Sequence, residues 1–212
     1  MFAINHAATA LIIKSEFTAV PIIWLLISVQ FMEMWWVVLN FLGIEKTTTE
    51  KEVRYVGDVH LSYMPFSHSI LTMVSVALLA WFIISEGLSR PDIGIAVAIG
   101  VISHLILDLI THSHDIAIVP FLKGPKLGLG LYAKYPMVAF VLEIGYGLVC
   151  WWIYNGGWAL FTTIVVFNLA NISMFSTAVT GIEKQMANRP LLITSVILAQ
   201  ILVTLALVGI FS

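Results

Sequence analysis

One stretch of sequence decides the fold class. Residues 92–111 read DIGIAVAIGVISHLILDLIT, 20 residues with two acidic side chains and no basic one. A helix needs about 20 mainly apolar residues to cross the ~30 Å hydrocarbon core of a bilayer. Backbone groups in lipid must find partners within their own segment, and the alternation typical of a barrel strand is absent. The stretch therefore predicts a transmembrane helix.

Similar apolar runs recur on both sides of this stretch. We predict an all-α fold, a polytopic transmembrane helical bundle of about six helices. Pro136 and Pro190 are expected in the first turns of their helices, where proline is tolerated. The number of spans falls to five if one segment is buried without crossing the bilayer. The six predicted spans cover residues 17–42, 67–85, 92–111, 136–154, 158–179 and 190–211.

The composition supports a membrane protein and limits its partners. Of 212 residues, 60% are hydrophobic and 10% are charged, against about 45–50% and about 25% in soluble domains. The lipid bilayer is thus the expected partner. A net charge of −2 gives no support for a nucleic-acid partner. Cys150 is the single cysteine, so no disulfide can form within one chain.

The charges between the apolar runs predict an orientation. Eight basic residues fall on one side of a six-span bundle, and Lys14 and Arg90 fall on the other. The positive-inside rule places the eight-charge side in the cytoplasm and both termini on the opposite side. We predict one integral-membrane helical domain over residues 1–212, with cytoplasmic loops near 43–66 and 112–135. The eight residues are Lys46, Lys51, Arg54, Lys123, Lys126, Lys134, Lys184 and Arg189.

Residues 1–13 are also apolar, but they lack the basic start and the small-residue cleavage site of a signal peptide. We therefore expect them to remain in the mature protein. They are too few to span a bilayer alone. A short interfacial helix, a re-entrant helix and an extension of the first span all remain open.

Histidines and acidic residues cluster around the third predicted span. His104, Asp108 and His112 are spaced i, i+4, i+8, so they share one face of a helix. Ionisable side chains inside a span usually face the bundle interior or a watery cavity. Imidazole and carboxylate are common zinc ligands. We interpret the cluster as a metal site; the alternative is that His104 and Asp108 only hydrogen-bond each other and a neighbouring helix.

Further candidates lie at the same predicted depth, near the cytoplasmic boundary. The proposed metal ligands are His68, His104, Asp108, His112, His114, His60 and Asp58, and the proposed general bases or orienting groups are Asp115 and Glu143. Glu33, inside the first span, has no assigned role. Lys123 and Lys126, in a Gly/Pro-rich segment, are weaker candidates for holding a substrate anion; anchoring near lipid headgroups is the simpler reading.

Two short elements then resemble a known family. Residues 67–69 read Ser-His-Ser, and residues 104–111 read His-x3-Asp-x2-Thr. This pairing looks like the YdjM-like bacterial membrane-bound metal-dependent hydrolases, and the resemblance covers residues 60–143. A more distant similarity is to zinc-dependent phospholipase C and P1-type nucleases, whose His-x3-Asp-x5-His spacing matches His104, Asp108 and His114.

The chain also departs from these patterns. No histidine follows residue 114, so the later His-x3-Glu/Asp pair of phospholipase C and P1-type nucleases is missing, and one or two metal ions are expected instead of three. The YdjM-like family tends to carry an acidic element after the first span, where this chain has only Glu33 nearby. His6 could match an N-terminal histidine ligand, but the predicted topology places it on the opposite side of the membrane.

The resemblance implies a hydrolase of the bacterial inner membrane that uses a divalent metal, zinc in the first place. A site at headgroup level, facing the cytoplasm, suggests a lipid-linked or amphiphilic phosphoester as substrate. Two other functions remain open. The same groups could bind an ion or a proton in a transporter or channel, or hold a structural metal in a non-catalytic scaffold. The oligomeric state is not predicted.

Overall fold

A computed structural model of the chain describes residues 1–122 and 124–212. Helices dominate this part of the chain, joined by two small antiparallel hairpins. The helices are α1 (Ala3–Glu16), α2 (Ile22–Phe41), α3 (Ile70–Phe82), α4 (Pro91–Thr111), α5 (Leu131–Lys134), α6 (Pro136–Tyr154), α7 (Trp158–Ala170) and α8 (Pro190–Phe211). The strands are β1 (Lys46–Thr49), β2 (Val59–Tyr63), β3 (Ile116–Ala117) and β4 (Lys126–Leu127).

The predicted fold class is confirmed. Within the described residues, five helices are long and apolar enough to cross a membrane. They are α2, α3 with the π-helical turn Ile83–Gly87 that continues it, α4, α6 and α8. The remaining predicted span, 158–179, forms the shorter helix α7 and a 3-10 turn, Ile172–Met174. Asn171 ends α7, and its side-chain amide donates back to the Phe167 carbonyl at 2.8 Å.

Local sequence signals set where the long helices begin. Proline occupies the first turn of α4, α6 and α8, where its missing N–H removes no helical hydrogen bond. This confirms the prediction for Pro136 and Pro190. Ser69 caps α3, because its hydroxyl accepts a hydrogen bond from the Thr72 amide at 3.2 Å, which satisfies a donor that the helix cannot.

Helix α1 is a separate helix buried inside the bundle. The N-terminal segment is therefore neither an interfacial helix nor an extension of the first span. It packs against α2, α6 and α8. Ala7, Ala8 and Ala10 are fully buried, and such small residues let helix backbones approach closely. Gly147 of α6 contributes as well, since a Cβ there would lie 2.7 Å from the side chains of Asn5 and Ile164.

Both hairpins lie at the same end of the bundle. The β1–β2 hairpin connects α2 to α3, with Thr49 paired to Val59. The β3–β4 hairpin follows α4, with Ile116 paired to Leu127. The segment after β3 also bonds to the start of α3, where the Leu71 amide donates to the Ile118 carbonyl at 3.1 Å. The two predicted loops are therefore partly ordered, and they cover the helix ends that carry the ionisable residues.

Candidate metal centre

Four ionisable side chains from three parts of the chain converge at this end of the bundle. Glu33 comes from α2, His68 from the turn before α3, and His104 and Asp108 from successive turns of α4. One donor atom from each lies within 4.8 Å of all the others. His68, His104 and Asp108 are at most 1% exposed, and the Glu33 side chain is 21% exposed. We call these four residues the donor cluster.

The spacing of the donor atoms fits a small divalent ion. Nε2 of His68 lies 3.4 Å from Glu33 Oε2 and 3.5 Å from Asp108 Oδ2. Nε2 of His104 lies 3.8 Å and 3.0 Å from the same two oxygens. Zinc bonds to nitrogen and oxygen are about 2.0–2.1 Å long, so tetrahedral ligands lie about 3.3 Å apart. The four distances given above, from 3.0 to 3.8 Å, bracket that value.

The hydrogen bonding of these atoms is incomplete. Among the described residues, His68 Nε2, His104 Nε2 and Asp108 Oδ2 are buried and have no hydrogen-bond partner. Buried polar atoms of native proteins are nearly always paired, so each exception requires an explanation. Three exceptions that face one point are explained by a cation at that point. The residues therefore fit a metal ion.

The proton on His104 is directed away from the cluster. Its Nδ1 lies 2.8 Å from the Val29 carbonyl oxygen, which can only accept a hydrogen bond. Nδ1 therefore carries the hydrogen, and Nε2 keeps the lone pair that a metal requires. A second hydrogen bond of this kind orients most metal-binding histidines.

His68 lies between two carboxylates. Burial lowers the pKa of its imidazole, but the negative charges of Asp108 and Glu33, whose oxygens lie 3.5 and 3.4 Å from Nε2, outweigh that effect and raise the pKa to about 10. A positive charge is therefore strongly favoured between these two side chains. This is the electrostatic environment that a divalent cation needs.

The second oxygen of Asp108 faces another set of groups. Oδ1 accepts a hydrogen bond from the Met1 amino group at 2.9 Å and lies 3.3 Å from His6 Nε2 and 3.7 Å from His112 Nε2. The prediction that His6 and Met1 lie on the far side of the membrane is thus wrong. Helix α1 runs antiparallel to α2 and returns the start of the chain to the site.

Glu143 lies in a separate buried network. Its carboxylate accepts hydrogen bonds from Tyr132 Oη and from the Asn5 amide. The Asn5 amide also donates to Asn168 Oδ1 at 3.0 Å. Burial and the neighbouring Glu143 raise the pKa of Tyr132 well above its usual value, so its hydroxyl stays protonated and donates. We call Glu143, Tyr132, Asn5 and Asn168 the Glu143 network.

A cavity of about 150 Å³ opens beside the donor cluster. Glu33 borders it, as do His112 and Asp115, whose nearest nitrogen and oxygen atoms are 3.6 Å apart. Oδ1 of Asp115 is buried and has no hydrogen-bond partner among the described residues. The rest of the wall is largely apolar and includes Phe2, Ala3, Val56, Leu61 and Ile197.

With this geometry established, comparison with known proteins gives one match. Residues 46–180 match the model of the YdjM inner membrane protein family. The chain belongs to this family. No curated protein and no solved structure matches it. The family description agrees with the five candidate spans and confirms the resemblance given by the Ser-His-Ser and His-x3-Asp-x2-Thr elements.

The region that matches the family model contains only part of the candidate site. His68, His104 and Asp108 lie inside the region shared with the YdjM family, whereas Glu33 and His6 precede it. The fourth member of the donor cluster thus comes from a part of the chain that the family model does not cover.

Several predicted site residues lie elsewhere. His60, on β2, is exposed and contacts Glu50 at 3.0 Å, although it borders the outer part of the cavity. Asp58 accepts hydrogen bonds from the Arg54 and Tyr55 amides at 2.8 and 3.3 Å. His114 is exposed. None of these three belongs to the donor cluster.

The two predicted anion-binding lysines add little to the site. Lys126 is exposed on β4. Lys123 lies outside the described residues. The structure also reveals participants without an assigned role in the sequence analysis. Glu33 showed a signal, since a carboxylate inside a span is expensive. Asn5 and Tyr132, which bond to Glu143, showed none, because polar residues at helix ends are common.

Proposed function

We propose that this member of the YdjM family is a membrane-embedded, metal-dependent hydrolase acting on a phosphoester. One observation supports the proposal above all others: three buried donor atoms, on His68, His104 and Asp108, face one point and have no hydrogen-bond partner in the part of the chain that the structure describes. Glu33 would complete the set of ligands. Zinc suits two imidazoles and two carboxylates at these separations.

A bound divalent ion lowers the pKa of a water molecule and polarises a phosphoryl oxygen. The chain's own residues would supply the remaining functions. Asp115 is the carboxylate that borders the cavity beside His112, so we assign it as the general base. Glu143 does not border that cavity and both of its oxygens accept hydrogen bonds. We therefore assign Glu143 an orienting role through Tyr132, which does border it.

The cavity wall supports an amphiphilic substrate. Polar side chains such as Glu33, His112 and Asp115 line part of the cavity, and apolar side chains from α1, the β1–β2 hairpin and α8 line another part. A phosphoester linked to a lipid would place its anionic group near the metal and its apolar part along Phe2, Leu61 and Ile197. Lys126 would then contact headgroups or the anion from outside. The basic residues of the connecting segments support a cytoplasmic position for this end of the bundle.

A second ion would occupy the other side of Asp108. Its Oδ1 lies within 3.7 Å of His6 Nε2 and His112 Nε2, and an ion bound there would displace the Met1 amino group, which donates to Oδ1 at 2.9 Å. We propose one ion at the donor cluster. A second ion at these atoms would give two ions per chain, so the expected stoichiometry is one or two.

A transport function is the main competitor. The Glu143 network extends polar groups from the cavity into the bundle through Asn5 and Asn168, which is what an ion or proton path would need. A transporter would move a cation across a sealed vesicle without cleaving any ester. A scaffold with a structural metal would do neither.

The test uses the full chain purified in detergent. Metal content is measured first, and hydrolysis of bis-(p-nitrophenyl) phosphate and of a short-chain phospholipid is measured before chelation, after chelation and after zinc is restored. We expect activity that disappears with the metal, returns with zinc, and is lost in His104→Ala. Asp58→Asn is the matched control, because Asp58 is a buried carboxylate outside the donor cluster. Stoichiometric metal without hydrolysis of either ester would contradict the hydrolase and favour the scaffold.

A further inference from the structure

A buried carboxylate outside the donor cluster holds the turn that carries His68. Glu45, in the connection between α2 and β1, is 1% exposed. Its Oε1 accepts hydrogen bonds from the Phe66 and Ser67 amides at 2.8 and 2.9 Å. Its Oε2 faces the Ser67 hydroxyl. This carboxylate therefore has three donors, and two of them are backbone groups that cannot reverse.

The Ser67 hydroxyl links this carboxylate to the imidazole. A carboxylate can only accept, so the hydroxyl hydrogen points to Glu45. The Ser67 oxygen, 2.7 Å from His68 Nδ1, is then left to accept. Nδ1 must carry the hydrogen of that bond. The opposite ring nitrogen, Nε2, is the atom that faces Glu33 and Asp108.

We infer that Glu45 is a positioning residue that acts through Ser67 to present the Nε2 lone pair of His68 to a metal ion. This inference rests on the proposed metal site and adds a residue to it. The direction of each hydrogen bond in the series Glu45–Ser67–His68 is set by the carboxylate at its start. His104 reaches the same state directly through a backbone carbonyl, so the series that orients each histidine starts at an oxygen that can only accept.

The substitution Glu45→Gln tests this series without removing the anchor. A glutamine has one oxygen, and the two backbone amides require it, which leaves its NH₂ group facing Ser67. The hydroxyl must then reverse and donate to His68 Nδ1. Because Nδ1 then accepts a hydrogen bond, a neutral imidazole carries its hydrogen on Nε2. The lone pair of Nε2 is then no longer available to a metal ion in the donor cluster. The side-chain shape and the two backbone bonds remain.

The experiment measures zinc affinity of the full chain in detergent by competition with a chelator, and the visible spectrum of the cobalt-loaded chain. We expect Glu45→Gln to bind zinc about 10- to 100-fold more weakly, as for other outer partners of histidine ligands, with an altered cobalt spectrum. Ser67→Ala should weaken binding in the same direction, and Ser67→Thr, which keeps the hydroxyl, should restore most of the affinity.

Glu50→Gln is the matched control, since Glu50 also lies between α2 and α3, but its side chain is 62% exposed and contacts only His60 among the ligand candidates. It should leave zinc affinity unchanged. Zinc affinity within twofold of wild type in both Glu45→Gln and Ser67→Ala would overturn the inference while leaving the metal site intact. A wild-type chain that binds no zinc would overturn the proposed function itself, and this inference with it.

Discussion

Two buried acidic centres lie at the same end of the bundle, and they differ in how their polar atoms are satisfied. Around Glu143, the carboxylate receives hydrogen bonds from Tyr132 and Asn5, and Asn5 is itself bonded to Asn168. Around Asp108 Oδ2, three donor atoms lack hydrogen-bond partners within residues 1–122 and 124–212. The Glu143 carboxylate has a hydrogen-bond donor for each oxygen, whereas Asp108 has one for Oδ1 but none for Oδ2 among the described residues, and that oxygen calls for a cation. The contrast separates a structural centre from a ligand-binding one.

The largest expected effect comes from removing a member of the donor cluster. Asp108→Ala and His104→Ala should each abolish metal binding, from about one ion per chain to near zero, because each removes a ligand from a four-membered set. Metal analysis of the purified variants measures this. Both variants should still insert into the membrane, which fractionation checks. Unchanged metal content in both would remove the distinction between the two centres.

A second test asks whether metal stabilises the fold. If zinc binds only the folded chain, zinc at 100 times its dissociation constant should raise the free energy of unfolding by about 2.7 kcal/mol. Unfolding in detergent with and without zinc measures this difference. Asp108→Ala should show none of it. Equal stabilisation of wild type and variant would place the zinc elsewhere.

A substitution in the Glu143 network should lower the stability of the fold and leave metal binding unchanged. In Glu143→Gln, one side-chain oxygen becomes an NH₂ group, which cannot accept from Tyr132 or Asn5. One buried donor then loses its partner, at a cost of about 1–3 kcal/mol. Metal content should stay at the wild-type value. Tyr132→Phe, which removes the hydroxyl instead, is a useful companion. Loss of metal in Glu143→Gln would show that the two centres work as one.

The smallest effect is expected at His60. His60→Ala removes an exposed contact with Glu50, and such surface changes usually alter stability by less than about 0.5 kcal/mol. Zinc affinity should match that of the wild type. A clear fall in affinity would mean that the β1–β2 hairpin closes over the cavity and supplies a ligand.

Height along the bundle was predictable from sequence, and rotation about each helix was not. Counting residues from the helix ends placed Glu33, His104 and Glu143 at one depth, and the i, i+4 spacing placed His104 and Asp108 on one face. Those inferences agree with the donor cluster for three of the four residues. Glu143 has the right depth but faces α1 and α5 instead. No periodic pattern in a uniformly apolar helix fixes which side faces which neighbour.

The end of α4 shows a second limit. His112 and His114 continue the ligand pattern in sequence, but the helix ends at Thr111, and His112 is already extended. His112 still lies near Asp108, whereas His114 points to the exterior. Likewise, a composition of 60% hydrophobic residues predicts buried helices but cannot show that α1 crosses back to the site. Its contact with Asp108 depends on α2, α4 and α6 together.

The central position of α1 has a consequence for biosynthesis. Among the helices of the bundle, α1 is made first, and α6 and α8, against which it packs, are made well after it. Chains are made at about 5–20 residues per second, so roughly 10–40 seconds pass between the synthesis of α1 and that of α8. Asn5 therefore meets its partners Glu143 and Asn168 only late in synthesis. Assembly of the bundle therefore closes around a helix made near its start, and a chain that stops before α8 lacks one of the helices that cover α1.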